Sequence, residues 1–145
     1  METKIVSIGV GNSQNINALE KSIGFGLPKD YYDFLLRSDG CRIEDGYVFV
    51  EELGQSVLLK CLFSIKNEKK VLTIGYWMNE YGDEIPEKSV IIGNDQGGSF
   101  LLFITDGDEK GVYFWDDSHF FEQTTDEKNI YLIAEDFVDF LNKIT

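Results

Sequence analysis

Leu27-Pro28-Lys29-Asp30-Tyr31-Tyr32-Asp33-Phe34-Leu35, running on to Ser38-Asp39-Gly40, is the stretch from which the architecture unfolds. Pro28 suits the first turn of a helix, where its missing N–H would have no partner in any case. Tyr31, Phe34 and Leu35 then share one helical face, and Gly40 stops the helix. Upstream, Ser13 is expected to cap a first helix that carries Ile16, Leu19 and Ile23 at helical spacing and ends at Gly24 and Gly26. Beyond Gly46 the pattern changes to strands rich in branched and aromatic residues: 47–50, 57–63, 90–92, 99–104 and 112–115. Residues 51–55, 94–98 and 105–111 supply the turns, so the sheet is expected to be mostly antiparallel. Val71, Leu72, Tyr76 and Met78 point to a helix around 69–81. Phe137, Phe140, Leu141 and Ile144 predict a last helix over 133–143, reached through a loop at 116–129. The expected fold is α+β, with about five to six strands packed against N-terminal and C-terminal helices.

Three further segments follow the first in fixed order: Ile92-Gly93-Asn94-Asp95-Gln96-Gly97-Gly98, Gly111-Val112-Tyr113-Phe114-Trp115-Asp116 and Ile133-Ala134-Glu135-Asp136-Phe137-Val138-Asp139-Phe140-Leu141. The series resembles the SUKH superfamily, which takes in the Smi/Knr-type cell-wall regulators of fungi and many bacterial immunity proteins. The resemblance spans roughly residues 15 to 143 and rests on order and spacing rather than on any one segment. It implies a small α+β domain that binds a protein instead of turning over a substrate. The residues that carry it are Leu27, Pro28, Tyr31, Phe34, Leu35, Gly40, Gly93, Asp95, Gly97, Gly98, Phe137, Phe140 and Leu141, whose expected role is to hold the fold.

Bulk properties narrow the function independently. A chain of 145 residues fits one domain, 1–145, able to bury about two thirds of its unfolded surface. Thirteen Lys and Arg against 26 Asp and Glu give a formal charge of −13, which repels nucleic acid and favours a basic partner. Cys41 and Cys61 make neither a disulfide framework nor a zinc motif. The start of the chain has no secretion pattern and no apolar run reaches membrane-spanning length, so a cytoplasmic location without membrane partners is expected.

Catalytic chemistry finds little support. Asn94 to Gly98 is rich in glycine, but it leads into a strand and lacks the Gly-Lys-Ser/Thr of a phosphate loop, so a turn is expected. Asp106-Gly107-Asp108-Glu109 gathers carboxylates without the spacing of a calcium loop. His119 is the sole histidine, and no Ser or Cys sits in a nucleophile motif. No enzyme, metal or cofactor is expected.

Two clusters combine aromatics with acids, the pairing that anchors an interface and steers a basic partner. One holds Tyr76, Trp77, Glu80, Tyr81, Asp83 and Glu84; the other Trp115, Asp116, Asp117, Phe120, Phe121 and Glu122. The reading that follows is an immunity protein that neutralises a cationic toxin, such as a nuclease, through these residues. A cytoplasmic regulatory or scaffold module of the Smi/Knr type is the alternative. On the first reading, reversing charge at Asp116 and Asp117 together is expected to spare folding and weaken binding.

Overall fold

The computed structural model describes residues 4–145. Its elements in chain order are β1 (Ile5–Ser7), α1 (Ser13–Ile23), α2 (Lys29–Arg37), β2 (Cys41–Ile43), β3 (Tyr47–Val50), β4 (Gln55–Leu62), α3 (Ile74–Tyr81), β5 (Ser89–Asp95), β6 (Phe100–Ile104), β7 (Gly111–Trp115), β8 (Ile130–Ala134) and α4 (Phe137–Asn142). Seven strands line up in the order β1-β2-β4-β5-β6-β7-β8, with β3 paired to β4, and every named pairing is antiparallel. The α+β class is as expected, but the sheet has eight strands rather than five to six.

The additional strands are those whose sequence signal is weakest. β1 and β2 have three residues each, too few for alternation to be read. β8 takes residues that the helical reading had assigned to the last helix. Tyr131 and Ile133 are buried while Leu132 between them is exposed, a period of two, and β8 pairs with β7. The last helix therefore starts only after Asp136, whose side chain accepts from the Asp139 amide at 2.7 Å. Similarly, Thr73 caps α3 through Tyr76, so Lys70–Leu72 forms a separate 3-10 turn instead of the helix's beginning. Asn12, not Ser13, caps α1, and Pro28 occupies the cap position of α2 rather than its first turn. Glu51–Leu53 in the turn after β3 also forms a 3-10 turn.

The two faces of the sheet are covered unequally. On one, Tyr31 and Phe34 of α2 meet Phe103 of β6 and Phe137 of α4, with ring centroids 4.9 to 6.2 Å apart. Phe140 packs against Phe137 and is fully buried. The opposite face displays one rung of mutually paired residues across seven strands: Val6, Arg42, Cys61, Asn94, Phe100, Trp115 and Ile130. Over its β5–β7 part lies α3, with Trp77 and Tyr81 on Phe100.

Contacts made by the motif residues hold separate elements together. The Asp30 carboxylate accepts from the amides of Phe137 (2.9 Å) and Val138 (3.3 Å), tying the first segment to the last. Asp39 accepts from Ile65 (2.7 Å) and Lys66 (3.2 Å), and thereby pins the chain after β4 to the end of α2. Gly40 has φ +82°, and a Cβ there would lie 2.5 Å from Ser64 Oγ. At Gly93 a Cβ would come within 2.5 Å of the Cys61 carbonyl oxygen, across the irregular β4–β5 register. Asp95 closes the Gly97-Gly98 turn by accepting from the Ser99 amide at 2.8 Å. Cys41 and Cys61 are free thiols; burial pushes them up to about 12 and about 11.

Candidate interaction site

The two aromatic clusters read from the sequence meet in space. Trp77 stacks on Tyr81 with ring centroids 5.9 Å apart, and Tyr81 reaches Trp115 edge-on at 6.0 Å. Tyr76 packs against the edge of Trp77 at 4.9 Å, and the Trp77 indole N–H donates to the Val71 carbonyl at 2.8 Å. A continuous aromatic row therefore joins α3 to the end of β7, with Glu80, Asp83 and Glu84 exposed along one side.

Two of the residues expected to face a partner do not. Trp115 is 5% exposed, its ring held between Phe100 and Tyr81, and Asp116 is completely buried. The Asp116 carboxylate organises the following loop from inside. It accepts from the amides of Phe120 (3.0 Å) and Phe121 (2.9 Å) and from Thr124 Oγ1 (2.6 Å). Thr124 also bonds the Tyr131 hydroxyl at 2.8 Å, carrying the anchor to β8. Charge reversal at Asp116 would thus bury an ammonium beside amide donors, and the expectation that it spares folding is corrected. Sequence alone does not separate Asp116 from its neighbour Asp117. The distinction lies in strand alternation at the end of β7 and in donors that come from residues four to eight positions away.

That internal anchor sets Phe120 outward. Phe121 packs on Phe114 of β7, and Phe120 stands edge-on to Phe121 at 5.0 Å with 79% of its surface exposed. His119 holds the turn in a left-handed conformation (φ +56°), and its Nε2 lies 3.0 Å from Asp126. A cleft of about 240 Å³ runs beneath Phe120 and Phe121, walled by β4 residues 55–58 and by Asp95 to Gly97.

Acidity concentrates around this aromatic. Asp117 is half-buried, with Oδ1 enclosed and without a hydrogen-bond partner. Burial raises its carboxyl above the usual range, and the charges of Asp116, Glu84 and Asp95 add to that rise. Asp95 is likewise raised, first by burial and then by Asp116, against the lowering effect of its backbone hydrogen bonds. Carboxylates from the end of α3, the β5–β6 turn and the β7 loop thus share one region of negative potential, and Glu122 is exposed beside it. Among the described residues no group of three or more His, Cys, Asp or Glu is placed to hold a metal, and no helix is long and apolar enough to cross a membrane.

A family model described as the SMI1 / KNR4 family (SUKH-1) matches residues 12–143. The chain belongs to this family. The matched range takes in every element from α1 to α4 and all four motif segments, so the SUKH-1 assignment covers the residues that make these contacts. A similar curated protein is the SPbeta prophage-derived uncharacterized protein YokK of Bacillus subtilis (strain 168). It is 26% identical over 148 residues, covering 91% of this chain and 73% of that protein. In this SUKH-1 chain Asp30 joins the first segment to the last, Asp39 and Gly40 hold the chain at 62–66, Gly93 sits against Cys61, and Asp95 closes its own turn. Phe120, Asp117 and Glu122 lie outside the motif segments, on the loop after β7, and Glu84 lies just beyond α3, whereas Asp95 belongs to the second segment.

Proposed function

We propose that this SUKH-1 protein is a non-enzymatic immunity protein, a single domain that binds and neutralises a cationic toxin in the cytoplasm. The observation that carries the reading is Phe120, exposed on a loop that buried Asp116 fixes from within, in a region made negative by Glu84, Asp95, Asp117 and Glu122. A preset aromatic costs little entropy to bury, and the surrounding acids steer a basic surface toward it and pair with its Lys and Arg. Glu80, Asp83 and the partly exposed rings of Tyr76, Trp77 and Tyr81 extend the surface along α3. Against a nuclease, such a surface would occupy the groove that accepts the nucleic-acid backbone. The prophage derivation of the similar Bacillus protein accords with a partner encoded among accessory genes.

The test is capture from the lysate of the source cells with the wild-type chain and with a Phe120→Ala, Asp117→Lys, Glu122→Lys variant. Recovery of a basic protein by the wild type, lost in the variant and weakened by salt, is the expected result. Equal recovery by both would remove this surface from the interaction. Recovery of housekeeping regulators alone would favour a regulatory module.

A further inference from the structure

The face of the sheet that carries α3 is only half covered. Along the Val6–Ile130 rung, α3 lies over the positions from Phe100 to Trp115, whereas Arg42 and Cys61 face an open groove of about 830 Å³. The chain at 66–72, pinned by Asp39, forms one wall, and Ile8 stands opposite beyond β1. Its apolar lining includes Ile8 and Val71, which are 38% and 49% exposed, together with Leu72.

The charge of this groove is opposite to that of the molecule. Among the described residues, Arg42, Lys60, Lys66 and Lys69 line it with Glu68 as the sole lining acid, in a chain of net charge −13. Arg42 pairs with Glu44 at 3.0 Å; among the described residues no acid lies within ion-pair distance of Lys60, Lys66 or Lys69. Cations left without partners around exposed aliphatic side chains favour a ligand that brings both carboxylates and aliphatic groups. Among the described residues no aromatic side chain lines the groove, so it has no platform on which bases would stack.

We propose that this groove binds an acidic, aliphatic-bearing peptide segment of a partner protein, at a site separate from the Phe120 surface. Aliphatic side chains seat on Ile8, Val71 and Leu72, and carboxylates pair with Lys60, Lys66 and Lys69. The proposal stands independently of the toxin-binding reading, because it uses other residues and the opposite charge.

The test is selection of a random peptide display library on the intact protein, in parallel with a Lys60→Glu, Lys66→Glu, Lys69→Glu variant whose fold is checked by circular dichroism. The expected result is enrichment of peptides that combine Asp or Glu with Leu, Ile or Val. The same peptides, made synthetically, should bind about tenfold or more weakly to the variant and to Val71→Ser, and should shift backbone resonances at 41–43, 60–62 and 66–72. Enrichment of basic or purely apolar peptides, no enrichment, or equal affinity for the variant would overturn the proposal. Tighter binding of a single-stranded oligonucleotide, or concentration-dependent self-association lost in the variant, would assign the groove to a different occupant and likewise overturn it.

Discussion

Replacing Asp116 by alanine tests how the interaction loop is built. The residue is fully buried, and its carboxylate accepts three hydrogen bonds, from the Phe120 and Phe121 amides and from Thr124 Oγ1. A hydrogen bond to a charged group contributes about 1.5–3 kcal/mol, and three that hold one loop do not add in full, so the expected loss is about 3–5 kcal/mol. With a urea m-value of about 1–3 kcal/mol per molar, the unfolding midpoint should fall by about 2 M. Asp116→Asn keeps the shape but turns one acceptor into a donor facing donors, for an expected cost of about 1–3 kcal/mol. Urea titration followed by tryptophan fluorescence measures both, since Trp115 adjoins the site. Hydrogen exchange at Phe120 and Phe121 reports the loop directly, and both amides should lose protection in either variant. An alanine variant within about 0.5 kcal/mol of wild type, with both amides still protected, would refute the claim that Asp116 organises this loop.

Other consequences can be measured in the same way. Phe140→Ala, which empties a fully buried site against Phe137, should cost about 3–5 kcal/mol in urea unfolding, and a loss below about 1 kcal/mol would contradict the packing. Gly40→Ala should be clearly more destabilising than Gly98→Ala. Both have positive φ, costing about 1–2 kcal/mol for a side chain, but only at Gly40 would the new Cβ strike Ser64 and the Leu62 carbonyl. The raised carboxyls of Asp95 and Asp117 make the folded state take up protons more readily than the unfolded chain. Their ionisation therefore opposes folding above their raised folded values, and this penalty is relieved, so that the folded state gains stability, as pH falls from those values toward about 4, the unfolded value. Asp117→Asn should raise the urea midpoint at neutral pH and flatten this part of the pH dependence; an unchanged profile would show that Asp117 is not strained by its neighbours.

The sequence made the scaffold legible wherever periodicity ran long enough or punctuation was strong. The aromatic face of α2, the stop at Gly40 and the strands β3 to β7 follow from local pattern, and so does the turn that Asp95 closes. β8 was hidden because Ile133 and Ala134 adjoin the helical residues from Phe137 onward, and only pairing with β7 decides between periods of two and 3.6. β1 and β2 owe their existence to partners far along the chain, such as Ile5 opposite Ile43. At the site, the residue types were readable but their depth was not. Trp115 and Asp116 look like Trp77 and Asp117 in sequence, yet the first two are enclosed by Tyr81 and by loop 117–124. The basic groove gave no local signal, since Arg42, Lys60, Lys66 and Lys69 come together only when β2 pairs with β4 and Asp39 fixes the chain beyond it.

The most direct test of the central claim is growth of cells that express a basic toxin domain captured by this protein, with the wild-type chain or the Phe120→Ala, Asp117→Lys, Glu122→Lys variant supplied in trans. The account predicts that the wild type restores growth and that the folded variant, present at equal level, does not. Full protection by the variant would contradict the assignment of toxin neutralisation to this acidic aromatic surface.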